Sequence, residues 1–214
     1  ESSLRRVRVE AHPVGPLVLD DWSGIILGGG PFNVSDPPEL KSAVQQRVEA
    51  DLRQVTEQVL TSDFPFMGAC YGIGTLGILR GGIVDRTHGE PVGGVCITLT
   101  DDGASDPIFG TLPREFAAYL GHKEAVTRLP AGTVVLASGD ACPVQAFRMG
   151  RNVYATQFHP ELDVAGLRTR VEVYRHHGYF APDEADDILA MAAQVVVEHP
   201  PQILAAFVAA YARG

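Results

Sequence analysis

Residues 64–72 read Phe-Pro-Phe-Met-Gly-Ala-Cys-Tyr-Gly, and this stretch constrains the chain more than any other. An apolar run of strand length stops at Cys70, and a short glycine-rich stretch, 72–79, has the look of a tightly packed helix. A side chain on so sharp a strand-to-helix turn stands clear of the sheet, and glycines on both sides leave room for the backbone. The helix behind it would point its positive end at the thiol and favour the thiolate. The N–H of Tyr71, the next residue, would face a developing oxyanion. Taken alone, Gly-x-Cys-x-Gly also fits a buried structural cysteine, since free cysteine is among the most buried residue types.

The remaining pattern alternates strands and helices. A β-like run covers 4–9. Residues 22–27 form a compact apolar run, read as a buried strand, that stops at Gly28-Gly29-Gly30-Pro31. Ser35, Asp36, Pro37 and Pro38 offer helix-start chemistry, and a helix is expected from there to about Leu60. Val44, Val48, Leu52, Val55 and Val59 would form its apolar face. Further strands are expected at 83–84, 92–100, 133–137, 144–147 and 153–158, with a turn at Asp101-Asp102-Gly103 and no assignment at 113–120. Helices are expected at 164–177, 182–198 and 201–212, with His176-His177-Gly178 as a helix C-terminus rather than a metal pair. The pattern predicts one α/β domain over 1–214, with an antiparallel extension to its sheet.

Composition removes several functions. Acidic residues outnumber basic ones 26 to 17, for a net charge of −9, against the basic face that nucleic-acid binding needs. No apolar run approaches the ~18 residues of a membrane span. Cys70, Cys96 and Cys142 are odd in number and widely spaced, which fits free thiols in a reducing cytoplasm rather than a disulfide framework or a thiolate metal site. Residues 72–77 spell Gly-x-Gly-x-x-Gly, but Gly81 and Gly82 end the helix early and Asp85 comes too soon for a dinucleotide fingerprint. These glycines are read as close helix packing, and no cofactor or metal is expected.

A second functional turn lies at 153–161, where a strand ends on His159-Pro160-Glu161. Proline cannot continue a sheet, so the chain turns there, at a strand end where α/β enzymes build sites. A cysteine nucleophile needs a base, and the base needs an orienting acceptor. His159 and Glu161 have the right chemistry; by themselves they would be an ordinary strand-end histidine and a solvated acid. The Gly28–Gly30 loop follows a strand directly, and its N–H groups could supply a second oxyanion donor.

Gly29-Gly30-Pro31, then Gly68-Ala69-Cys70-Tyr71-Gly72, then Gln157-Phe158-His159-Pro160-Glu161, in that order, resemble the class I glutamine amidotransferases. The similarity spans roughly residues 20–165, includes Pro143-Val144-Gln145-Ala146-Phe147, and is nearest to the glutaminase domain of GMP synthase. It implies a flavodoxin-like, mostly parallel sheet flanked by helices. It implies a Cys70–His159–Glu161 triad that hydrolyses glutamine through a γ-glutamyl thioester, with Gly30 and Tyr71 N–H groups around the oxyanion. It also implies L-glutamine as substrate, an ammonia-accepting synthetase as partner, and a cytoplasmic location. Many members carry Gln four residues after the nucleophile, where this chain has Gly74. His122 and Glu124 replace part of a Ser-His-Gly-Asp-like stretch near the glutamine site. Gly29, Gly74, His122 and Glu124 are therefore the candidate substrate contacts. The family's first strand and helix are expected to precede Glu1. No P-loop or pyrophosphatase motif follows His159. The expectation is a stand-alone glutaminase, with a γ-glutamyl hydrolase or peptidase, or a non-catalytic regulatory subunit, as the alternatives.

Overall fold

The computed structural model describes residues 4–175 and 180–213. The elements in chain order are β1 (Ile25–Leu27), α1 (Ala43–Ser62), β2 (Phe66–Ala69), α2 (Tyr71–Gly77), β3 (Ile83–Asp85) and β4 (Glu90–Leu99). They continue with α3 (Asp101–Ser105), β5 (Glu115–His122), β6 (Ala125–Arg128), β7 (Thr133–Ser138), β8 (Ala146–Met149) and β9 (Val153–Thr156). Helices α4 (Val164–Tyr174), α5 (Ala185–Ala192) and α6 (Pro201–Tyr211) complete the described chain. The expected end of a helix at His176-His177-Gly178 lies outside the described residues.

Seven strands form one sheet in the order β1-β2-β9-β8-β7-β4-β5, and β3 pairs with β6 in a separate ribbon. The strands β1, β2 and β9 run parallel, and β8, β7, β4 and β5 extend them antiparallel. Both faces of the central strands are covered, which explains their near-continuous apolar sequence. Phe66, Val153 and Ala155 pack with Val48, Leu52, Val55 and Val59 of α1 and Ile73 and Leu76 of α2. Their neighbours Met67 and Tyr154 face the other way, towards Ile203 and Phe207 of α6. The alternation follows from the two-residue period of a strand. Helix α6 thus packs its apolar face on its own sheet. Helices α4 and α5 form a third cluster on β5, through Tyr119, Leu167, Val171 and Ile188.

The local expectations need five corrections. The helix expected at 182–198 is a 3-10 turn at Pro182–Glu184 followed by α5, which ends at Ala192 because its capping turn closes there. Residues 4–9 are not a strand. The chain turns at its end, with the Ala11 and His12 N–H groups donating to the Arg8 carbonyl, and α1 side chains hold the backbone that follows: Arg47 donates to the Val9 and Glu10 carbonyls, and Asp51 accepts from the Val14 N–H. The β1 strand is only half-buried, because it is the edge of the described sheet and leaves Ile26 47% exposed. Helix α1 starts later than expected. Ser42, not the Ser35–Pro38 stretch, accepts the Gln45 N–H as N-cap, and a separate 3-10 turn occupies Pro38–Leu40. Asp101-Asp102-Gly103 is the first turn of α3, because Thr100 accepts the Gly103 N–H and starts a helix there.

Asp106 ties the segment after α3 to strand β8. Its side chain is fully buried; one oxygen accepts from the Ile108 and Phe109 N–H groups, and the other pairs with Arg148 at 2.9 Å. Asp106→Ala is expected to cost about 3 kcal/mol of unfolding free energy in urea titration, at the low end for a broken buried pair because Arg148 stays partly solvated.

Candidate functional site

The β2 ladder continues into Cys70, whose N–H donates to the Thr156 carbonyl at 2.8 Å. The backbone then turns abruptly, with Cys70 at φ 53° and ψ −95°, and α2 begins. A non-glycine residue held at positive φ is a strained conformation that its surroundings must impose. An ideal Cβ on Gly68 would fall 2.9 Å from the Gly72 carbonyl carbon, so the elbow closes only with glycine at 68. Ile73 and Gly74 donate to the Cys70 carbonyl, while Tyr71 and Gly72 at the head of α2 have no carbonyl within the helix to reach.

His159 enters from the neighbouring strand β9. Its N–H is held by the Tyr119 carbonyl at 2.9 Å, its side chain is buried, and Nδ1 contacts Glu161 Oε1 at 2.7 Å. An ideal Cβ on Gly29 would lie 2.6 Å from His159 Cε1 and 3.4 Å from Cys70 Cβ. The thiol and the imidazole therefore converge over Gly29. His159 Nε2 meets no partner at hydrogen-bonding geometry, although its charge and that of Cys70 strongly influence one another. Charge and hydrogen bonding between the two groups both contribute to that coupling, and unliganded sites commonly align such bonds only when substrate arrives.

The electrostatics favour a charged pair. Burial opposes a thiolate at Cys70, but the adjacent His159, helped by Arg170, outweighs it and holds the thiol below its ordinary range. Burial also opposes an imidazolium at His159, yet Cys70 and then Glu161 drive it up to about 9. Glu161 is likewise raised by burial and lowered more strongly by His159, so it remains a carboxylate. Between the two titrations the stable form is thiolate beside imidazolium.

A cleft opens beside Cys70, lined by Gly30, Phe32, Asn33, Tyr71, Gly74, His122, Lys123, Glu124, Ala125 and Gln157. A second cleft under α4, lined by Leu162, Leu167, Arg170 and Phe180, reaches His159 from the other side. A sequence profile of the family "Glutamine amidotransferase class-I" matches residues 4–171. The chain belongs to the class I glutamine amidotransferases.

Among its relatives is the glutamine-hydrolyzing GMP synthase of Thermosipho africanus, 32% identical over 141 residues, which are 65% of this chain and 24% of the relative. Another is a glutamine-hydrolyzing GMP synthase subunit of Methanocaldococcus jannaschii, 31% identical over 140 residues, which are 65% of this chain and 64% of that one. The aligned part spans about a quarter of the length of most curated relatives it matches. A crystal structure of a glutamine amidotransferase from Thermotoga maritima superposes with a TM-score of 0.70 at 19% identity, covering 92% of this chain and 82% of that one. That crystal structure shares the α/β fold of this family member.

The structure gathers Cys70, His159 and Glu161 at one point and places Gly30 and Tyr71 at the adjoining cleft. Gly29 packs beneath the pair. Gly74, His122 and Glu124 do line the cleft, but the two polar side chains are engaged inward. Both His122 ring nitrogens contact protein groups, the Glu124 carbonyl at 2.9 Å and Glu90 at 3.0 Å. The Glu124 carboxylate accepts from the Val34 and Ser35 N–H groups at 2.7 and 2.8 Å. A Cβ at Gly74 would sit 3.3 Å from Val34 Cγ2 and 3.4 Å from Glu124 Oε1, so Val34 and Glu124 occupy the space a longer residue would need. At Gly77 a Cβ would fall 2.6 Å from Val126 Cγ2, which makes the third glycine of the Gly-x-Gly-x-x-Gly stretch a packing requirement.

Sequence reasoning missed Arg170, whose guanidinium stacks on Tyr174 at 4.9 Å and reaches within 3.3 Å of the Gly29 Cβ position. Nothing in its spacing on α4 marks it. Glu90 and Gln145 were missed as well. Among the described residues, Glu90, His122 and Cys142 form one buried group with ligand-type atoms within 4.8 Å of one another. The protein itself engages these atoms. Glu90 Oε2 meets both His122 and the Gln145 amide, and the Cys142 thiol donates to the Val144 carbonyl at 3.5 Å. Burial pushes that thiol up to about 11, against the thiolate a metal prefers. The set fits a hydrogen-bonded chain better than an ion.

Iodoacetamide labelling of the Cys70 peptide against pH is expected to show a midpoint below that of an ordinary thiol. His159→Gln keeps much of the volume, loses the charge, and is expected to move that midpoint upward. An unchanged profile would mean that the two groups are not coupled. Peptide resolution matters because Cys96 is exposed while Cys142 is buried.

Proposed function

We propose that this chain hydrolyses the side-chain amide of L-glutamine through a cysteine thioester and supplies the ammonia to a synthetase partner. The convergence of Cys70, His159 and Glu161 at one end of a cleft carries the reading. The Cys70 thiolate attacks the amide carbon. The Gly30 and Tyr71 N–H groups stabilise the oxyanion. His159 hands its proton to the leaving nitrogen, the C–N bond breaks, and ammonia departs from a γ-glutamyl thioester. His159, now neutral, takes a proton from water; the resulting hydroxide attacks the thioester and expels the Cys70 thiolate with glutamate as product. Glu161 keeps the imidazole oriented and stabilises its positive form. The Methanocaldococcus jannaschii relative, itself one subunit of a GMP synthase, supports the partner part of the proposal.

A second reading draws on Gly74. The cleft wall there is built from Val34 and Glu124, and a different γ-glutamyl amide would make this chain a γ-glutamyl hydrolase or peptidase. The decisive measurement is ammonia and glutamate release from L-glutamine by the full chain, with Cys70→Ala as control and a panel of γ-glutamyl amides beside it. Cys70-dependent turnover of glutamine above the rest of the panel supports glutaminase. Cys70-dependent turnover of another member with none of glutamine transfers the assignment to the second reading. No turnover with or without candidate synthetases sinks both.

A further inference from the structure

Glu90 stands at the first position of β4 and is register partner of His122 at the last position of β5. It does not line the cleft beside Cys70. Its carboxylate nevertheless begins a continuous run of contacts that ends at the cleft wall. Glu90 Oε2 accepts from Gln145 Nε2 at 2.6 Å and meets His122 Nε2 at 3.0 Å. His122 Nδ1 contacts the Glu124 carbonyl at 2.9 Å, and the Glu124 carboxylate holds the Val34 and Ser35 N–H groups. Gln145 reaches the cleft a second way, because its carbonyl accepts the Gln157 N–H at 2.8 Å. Every member from Glu90 to Val34 is buried.

The chemistry of the run fixes its direction. A carbonyl only accepts, so His122 Nδ1 carries a hydrogen towards Glu124. The contact between Nε2 and Glu90 is then a hydrogen bond only if a proton lies between them. The contact at Glu90 therefore fixes the ring angle of His122. The ring in turn sets the Gly121–Glu124 turn, and Glu124 sets the loop that carries Phe32 and Asn33 into the cleft.

We propose that Glu90 is a positioning residue for substrate: acting through His122 and Glu124, it sets the shape of the cleft wall and hence substrate affinity, and not the reactivity of Cys70. The proposal rests on the glutaminase reading for the identity of that substrate.

The test compares Glu90→Ala and Glu90→Gln in the full chain. Removal of a buried charged hydrogen-bond partner is expected to raise KM for L-glutamine by about tenfold or more, with kcat changed by less than about threefold. Labelling of Cys70 by iodoacetamide, which needs only the thiolate, is expected to stay at the wild-type rate. Labelling by 6-diazo-5-oxonorleucine, a glutamine-shaped electrophile, is expected to slow by about tenfold. Glu90→Gln is expected to recover most of the loss. Its amide can donate to Nε2 of a neutral ring, and Gln145 can turn its unpartnered Oε1 towards it. Gln145→Leu, which removes only the second hold on Glu90, is expected to raise KM by about threefold and keeps the test open if Glu90→Ala does not fold.

Wild-type KM in Glu90→Ala, equal loss of both labels, or a Glu90→Gln variant as impaired as Glu90→Ala would each overturn the proposal. Failure of the glutaminase reading looks different: the wild type itself neither turns over glutamine nor takes the glutamine-shaped label. Hydrogen exchange then decides the inference. Glu90→Ala must accelerate exchange at the Val34 and Ser35 amides by about tenfold while leaving β2 protected; unchanged Val34 and Ser35 rates reject it.

Discussion

Cys70→Ala is expected to lower ammonia release from L-glutamine by about 10⁴-fold or more, because removal of a covalent nucleophile leaves only binding and oxyanion stabilisation. The substitution deletes one heavy atom from a side chain that is only 9% exposed, so little packing is lost. Cys70 is held at φ 53° by the elbow around it, and alanine faces the same strain. Thermal unfolding is thus expected to change little while activity disappears. A variant that unfolds would leave the rate loss without meaning, whereas a folded variant retaining a tenth of the activity would reject the thioester route.

Gly29→Ala is expected to have the second-largest effect, for a purely steric reason. The added methyl group would fall 2.6 Å from His159 Cε1, well inside contact distance. The imidazole cannot yield freely, because Glu161 holds Nδ1 at 2.7 Å and the Tyr119 carbonyl holds its backbone. Moving a catalytic group by about 1 Å typically costs about 10²-fold in rate. The expected signature is a fall in kcat of that order and an upward move of the Cys70 labelling midpoint, as His159 is pushed from the thiol. Gly28→Ala is the matched control, since nothing lies within 4 Å of a Cβ there. Equal effects of the two substitutions would show that the loop, and not the His159 contact, is what the methyl group disturbs.

The family's marks were legible because each is local. Gly68, Cys70 and Gly72 lie within five residues, and the elbow they form needs only a strand before it and a helix behind it. His159 and Glu161 are two residues apart, so their contact follows from one turn at Pro160. The apolar stripe of α1 was equally readable from spacing, although Val44 proved exposed. Its start was not: Ser35–Pro38 carries helix-start chemistry, but a 3-10 turn occupies Pro38–Leu40 and the helix caps later, at Ser42.

Other differences arise from distant partners. Residues 4–9 have a strand-like pattern, but a strand exists only where a neighbour supplies backbone partners; here the chain turns at Arg8–His12 and Arg47 of α1 takes the Val9 carbonyl. The β5 strand was unreadable at 113–120 for the opposite reason, since its pairing with β4 carries it through residues of weak pattern such as Ala117 and Ala118. His122 and Glu124, expected as substrate contacts, do line the cleft, while their polar groups also bond to Glu90, Val34 and Ser35.

The sequence by itself determined the α/β class, the elbow at Cys70, the turn at His159 and the family to which both belong, because periodicity, turn residues and covalent neighbourhood act over a few positions. Only the tertiary structure brought Cys70 and His159 together over Gly29, set Arg170 beside them, and joined Glu90 to His122 and Gln145 across 32 and 55 residues. Such contacts depend on which strands pair and in what register. That choice is made by burial of the whole sheet between its helices, and no short stretch of the chain carries it.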